Sequence, residues 1–122
     1  MTTGSAEFYR DLVESLDAIF WEADPATLRF TAVSQNAEAL LGYPSSAWTS
    51  NQNFWGEIIH PDDRERTLVT RLLNIRQCED HRVNYRVITA DGRTRWIRDS
   101  VRLKCERGQP KQVCGVMIDV TV

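Results

Sequence analysis

The sequence contains no apolar run approaching the roughly 18 residues that a bilayer-spanning helix needs. Its first residues, MTTGSAEFYRDL, lack a basic region followed by an apolar stretch, so they do not form a secretory signal. There are only two histidines, His60 and His81, whereas a zinc site normally wants three or four convergent ligands; no metal site is expected. The three cysteines, Cys78, Cys105 and Cys114, form neither a CxxC pair nor an even set, and reduced thiols in a cytoplasmic protein are the simplest reading. Internal repeats, low-complexity tracts and proline-rich linkers are all missing. So are the glycine-rich phosphate-binding patterns, the GxSxG elbow and the HExxH zinc motif. No nucleophile is paired with a base, and no catalytic residue is assigned. A net charge of −2 and a pI near 5.7 leave no basic surface for nucleic acid or an anionic membrane.

What is present is the composition of one ordinary globular domain, with 42% hydrophobic and 26% charged residues in 122. Phe8, Tyr9, Leu12, Val13 and Leu16 share a helical face, predicting an amphipathic N-terminal helix that Ser5 would cap. Two short β-like runs follow, residues 18–24 and 28–34, separated by an Asp-Pro-Ala-Thr turn. Ser34 is placed as the cap of a short helix with Ala37, Leu40 and Leu41 on one face, and Gly42 stops it. Residues 43–59 read as a broken helical connector. At NFWGEIIHPDDRE (53–65) an aromatic-apolar run meets a sharp helix start. Proline at the first helical position sacrifices no hydrogen bond, and Asp62 and Asp63 face the positive end of the helix dipole. Those adjacent carboxylates diverge by about 100° on a helix and cannot share a proton.

The long helix from Pro61 to about Cys78 is expected to carry Leu68, Val69, Leu72, Leu73 and Ile75 inward, with Arg71 and Arg76 in its later turns. Three long strands close the chain. The first two flank Ala90-Asp91-Gly92, a strong hairpin signal, and the last pair flanks a turn over 106–110. Tight turns make these strands sequential neighbours, and the middle helices must cover one face of their sheet. The fold class is therefore α+β, with a five-stranded antiparallel sheet.

Four segments in this order, SQNAEALLGY (34–43), FWGEIIHPDD (54–63), ADGRTRWI (90–97) and GVMIDVT (115–121), resemble those of PAS domains, the small sensor modules of signalling proteins. The resemblance covers residues 18–121. It implies a PAS-like sheet with helices on one face, residues 1–17 forming a flanking helix and residues 18–122 the sensor domain. It further implies a sensory or regulatory domain in a multidomain signal-transduction protein, with a histidine kinase of a two-component system or a cyclic-dinucleotide enzyme as typical host. Such a domain senses a small ligand or relays a conformational signal to a C-terminal effector; the alternative is a ligand-free dimerisation module. The implied partners are a second copy of the chain and a covalently linked effector, in the cytoplasm. In this family the Asp-hydrophobic-Thr ending leads into a linker helix, so Asp119 and Thr121 are expected to transmit the signal, and the stop at Val122 reads as a cut at the output boundary.

The resemblance also bears on cofactors without identifying one. The family's flavin-binding light sensors carry an Asn-Cys-Arg-Phe-type motif at the start of the connecting helix. Here that region reads HPDDRER, with no cysteine before Cys78, so no flavin–cysteine adduct is expected. Haem-binding members use a histidine in or near the same helix; none lies between Pro61 and Cys78, and His81 is the residual candidate. Trp21, Leu40, Trp55, Ile58, Leu72, Tyr85, Trp96 and Met117 are the candidate lining of a pocket between sheet and helices. The same side chains equally suit a filled core.

Overall fold

The computed structural model describes residues 11–12 and 17–122, so the expected N-terminal helix over 1–17 lies almost wholly outside the described residues. Five strands, β1 (Ala18–Ala23), β2 (Phe30–Val33), β3 (His81–Ile88), β4 (Thr94–Glu106) and β5 (Gln109–Asp119), form one antiparallel sheet in the order β2-β1-β5-β4-β3. Four helices lie between β2 and β3: α1 (Ala37–Leu41), α2 (Ser45–Ser50), α3 (Phe54–Ile58) and α4 (Pro61–Arg76). From β1 onwards the expected element order is found, and so is the five-stranded sheet. What strand-by-strand reading does not supply is the central β1–β5 pairing, which sets Trp21 opposite Gly115.

Local chemistry accounts for most boundaries. Asp24 accepts hydrogen bonds from the backbone N–H groups of Ala26 (2.8 Å) and Thr27 (3.2 Å), an Asx turn that reverses the chain between β1 and β2. Pro61 opens α4, and His60 Nδ1 accepts from Asp62 N at 3.1 Å. Ser34 does not cap α1. Its Oγ instead accepts from Phe20 N (2.9 Å) and donates to Asn36 Oδ1 (2.6 Å), while Asn36 donates to Ala18 O. The β1 backbone offers these groups stronger partners than a helix of five residues does.

Gly42 ends α1 with φ 88°, and its N–H bonds to Glu38 O. A side chain here would meet a second obstacle, because a Cβ would lie 2.8 Å from Ala90 Cβ in the β3–β4 turn. Leu41 O accepts from Ala90 N at 3.0 Å, which locks that close approach. Gly42→Val is therefore expected to lower stability by about 2 kcal/mol or more, through left-handed backbone strain together with overpacking. Urea unfolding measures this, and an unchanged midpoint would refute the account.

Two expectations need correction. The buried face of α4 is Asp63, Thr67, Arg71 and Ile75, one residue per turn, whereas Leu68, Val69 and Leu73 are exposed and Leu72 is half-buried. Of the apolar residues expected inward, only Ile75 is buried. Helical periodicity finds an apolar stripe but not what the sheet presents to it, and here the sheet presents Asp99 and Arg86 to Arg71 and Asp63. The cysteines are likewise not three reduced thiols. Cys78, just past α4, is bonded to Cys105 on β4, with their Cα atoms 6.3 Å apart, and Cys114 is free. The two partners are 27 residues apart, so no spacing motif announces them.

Candidate functional site

Strand parity brings the site together. On β4 the inward residues are Ile97, Asp99 and Val101, and on β3 they are Val83, Tyr85 and Val87, all buried. Asp99 is 0% exposed, and an ion cannot stay in such a place unless it is paired and hydrogen-bonded. Its Oδ1 accepts from Trp21 Nε1 at 2.9 Å. Its Oδ2 accepts from Tyr85 OH at 2.7 Å and is ion-paired with Arg71.

Arg71 enters from α4 and is 3% exposed. Its guanidinium carbon lies 4.4 Å from the ring centre of Trp21 and 3.8 Å from that of Trp55, a sandwich that suits a weakly hydrated planar cation. Trp55 Nε1 in turn donates to Tyr85 OH at 3.2 Å. Burial, with the Asp99 carboxylate adding to it, pushes the Tyr85 phenol well above its ordinary 10, so Tyr85 remains a proton donor to Asp99 at neutral pH.

Edge-to-face aromatic contacts extend this centre towards the helices: Trp21 on Phe30 at 5.3 Å, Phe30 on Trp48 at 5.6 Å and Phe30 on Trp55 at 5.9 Å. Beside Trp55 a groove of about 490 Å³ opens between the β1–β2 turn, α3 and α4. Leu28, Phe30, Trp55, Leu68, Val69 and Leu72 supply its apolar wall, with Asn53, Glu57 and Arg64 as polar tips. Trp55 thus both lines the groove and packs against Arg71.

A second ion pair fixes the start of α4. Asp63 is buried, and its carboxylate accepts from Arg86 through Nε (2.9 Å), Nη2 (2.8 Å) and the backbone N–H (2.9 Å). These bonds hold the Asp63 carboxyl far below its ordinary 3.8. A carboxyl more acidic in the folded than in the unfolded chain stabilises fully above the ordinary value and loses that contribution as pH falls through the range below it. Asp63→Asn is accordingly expected to destabilise strongly at pH 7. Its deficit relative to the parent chain should shrink as pH is lowered below about 4. Urea titrations at several pH values test this, and a pH-independent deficit would contradict it.

Among the eight expected lining residues, Trp21, Trp55, Ile58, Tyr85 and Met117 lie in one buried cluster and Leu40 packs against it. Leu72 lines the outer groove. Trp96 is one residue out of phase with Ile97 and Asp99, stands 42% exposed and approaches Arg86 rather than the interior. Arg71 and Asp99 were missed as site residues. The signal for Asp99 was its parity with Ile97 and Val101, whereas nothing in the local pattern marks Arg71 as buried.

Three residues before Asp99, near the start of β4, Trp96 contacts the C-terminal residues. Trp96 N donates to Thr121 Oγ1 at 2.8 Å and Trp96 O accepts from Val120 N at 2.8 Å. Thr121 N donates to Asp119 Oδ1 at 2.8 Å, and Arg95 Nε lies 3.8 Å from Asp119. Asp119 and Thr121, the expected transmission residues, are therefore joined in one cluster of contacts with Arg95 and Trp96 at the start of β4. Among the described residues no helix is long and apolar enough to cross a membrane.

Comparison with known proteins fits this geometry. The family described as PAS fold matches residues 30–117. The N-terminal domain of a diguanylate cyclase with PAS/PAC sensor from Marinobacter aquaeolei is 31% identical, with a TM-score of 0.78 over 85% of this chain and 95% of that one. A sensory box histidine kinase/response regulator from Burkholderia thailandensis is 28% identical, with a TM-score of 0.72 over 93% and 84% of the two chains. A methyl sulfide methyltransferase-associated sensor from Methanosarcina acetivorans is 28% identical over 103 residues, which cover 83% of this chain. The match spans only 10% of that relative's length.

Proposed function

Because the chain belongs to the PAS family, a family of sensory modules rather than catalysts, we propose that it is the cytoplasmic sensor domain of a multidomain signalling protein. Its host would be of the histidine kinase or diguanylate cyclase type, the contexts in which similar sensor domains occur. The observation that supports the reading is that β4 bears both the buried carboxylate of the interior and the contacts to the C-terminal residues. Asp99 anchors Arg71 and Trp21 in the interior, and Trp96 on the same strand bonds to Val120 and Thr121.

The input is a small, largely apolar ligand in the groove beside Trp55. Such a ligand acts only if it binds one arrangement of α4 and sheet better than the other, since equal affinity for both transmits nothing. Contact with Trp55 biases the Arg71 sandwich, and through Asp99 the position of β4. Asp119 and Thr121 then pass the change to a C-terminal effector. The second reading, a ligand-free homodimerisation module, draws on the exposed Val69 and Leu73 of α4.

A fusion of this chain to a diguanylate cyclase catalytic domain tests the proposal. Thr121→Ala is expected to change cyclase output while leaving the melting curve of the sensor domain nearly intact. Native mass spectrometry of the domain alone is expected to show a reproducible added mass that Leu72→Glu abolishes. An empty dimer whose dissociation alone sets the output would favour the second reading. Output indifferent to both Thr121→Ala and dimerisation would defeat the relay.

A further inference from the structure

The C-terminal end of α4 and the β4–β5 hairpin meet at a corner closed by the Cys78–Cys105 bond. We propose that this bond is a reversible thiol–disulfide switch that sets how firmly α4 is held to the sheet. Both cysteines are only partly buried, so a reductant in solution reaches them. The corner also has supports of its own. The Asp80 carboxylate accepts from Leu103 N at 2.8 Å and from Arg102 Nη1 at 3.0 Å, and α4 closes with Gln77 N on Leu73 O and Glu79 N on Asn74 O. Reduction therefore leaves the two thiols close together, and the bond re-forms within the molecule at high effective concentration.

The remaining thiol does not scramble the pair. Cys114 lies on β5 opposite Arg102, and burial, reinforced by the Glu22 and Asp80 carboxylates, pushes its thiol up. Little of it is thiolate, the species that attacks a disulfide. The location gives the bond its leverage. Arg71 lies about two turns before Cys78 on α4, and β5 runs from the bonded hairpin to Asp119. One covalent link thus joins the end of the helix that carries the buried cation to the hairpin from which β5 runs to Asp119.

Chemically, a thiolate of a dithiol reductant attacks one sulfur, the S–S bond breaks, and the departing cysteine thiolate takes a proton. The reductant's second thiolate then resolves the mixed disulfide and frees the other cysteine, which is protonated in turn. Two electrons and two protons pass to Cys78 and Cys105, and the reductant leaves as its own disulfide.

Dithiothreitol and oxidised glutathione serve as probes on the whole chain. Alkylation in denaturant should label Cys114 alone in the oxidised chain and all three cysteines after reduction, with full reversal by oxidised glutathione. The reduced chain should melt cooperatively about 10 °C lower. Its amide exchange should rise at residues 73–80 and 103–110. Cys78→Ser should match the reduced chain with or without dithiothreitol, and Cys114→Ser should leave the switch intact. Three reactive thiols in the oxidised chain, a reduced chain that is unfolded, corner exchange that ignores reduction, or a Cys78→Ser chain that still responds to dithiothreitol would each overturn the proposal.

Discussion

Arg71→Ala is expected to lower the stability of the domain by about 3–5 kcal/mol, because it leaves the buried Asp99 carboxylate without its countercharge. Asp99 would keep the Trp21 and Tyr85 donors, but two neutral hydrogen bonds do not balance a full charge in an interior that water does not reach. The indoles of Trp21 and Trp55 would also lose the cation between them and face a void. Urea unfolding gives the magnitude.

A paired substitution separates charge from shape. Arg71→Met with Asp99→Leu removes both ions and keeps most of the volume, and it should recover part of the loss: apolar replacement of a whole buried pair is often neutral or stabilising, but here Trp21 Nε1 and Tyr85 OH lose Asp99 as acceptor. In the cyclase fusion, however, the double variant should be stable and insensitive to input, because the contact from Trp55 to β4 would be gone. A double variant as unstable as Arg71→Ala would place the energy in packing instead of charge.

Gly115→Val is expected to cost about 3 kcal/mol through overpacking. Gly115 sits opposite Trp21 across the β1–β5 pair, and the indole occupies the space that a Cβ would need. A Cβ at this position would come within 2.5 Å of Cε2 and Cζ2 and 2.6 Å of Nε1 of that ring. The ring has nowhere to go: Asp99 holds its nitrogen at 2.9 Å, Arg71 covers one face and Phe30 meets it edge-on. Gly115→Ala should cost less, about 1–2 kcal/mol. Combining Gly115→Val with Trp21→Leu should be less destabilising than the sum of the two, because residues in direct contact do not act additively. Additive losses would mean that the indole is not what excludes a side chain there.

These two sites show where reading the chain stops short. Elements with local causes were legible: the Pro61 helix start from the orphaned N–H groups of a first turn, the Gly42 stop from its left-handed backbone, and the hairpins from their turn residues. So were the element order and the antiparallel run β3-β4-β5, because tight turns leave neighbouring strands no other geometry. The family resemblance held, with residues 30–117 matching the PAS fold. The turning of α4 was not legible, nor was the pairing of Cys78 with Cys105.

The sequence by itself determined the fold class, the turns and helix ends, and the antiparallel run of β3, β4 and β5. Each depends on backbone geometry within a few positions of the residue concerned. Only the tertiary structure decided that Arg71 is the interior cation, that Trp21 lies on Gly115, and that Leu68, Val69 and Leu72 form an outer groove. Those outcomes depend on which partner arrives from a distant part of the chain. An arginine on a helix is solvated until its neighbours supply a buried carboxylate and two aromatic faces; here Asp99 on β4, Trp21 on β1 and Trp55 on α3 supply them.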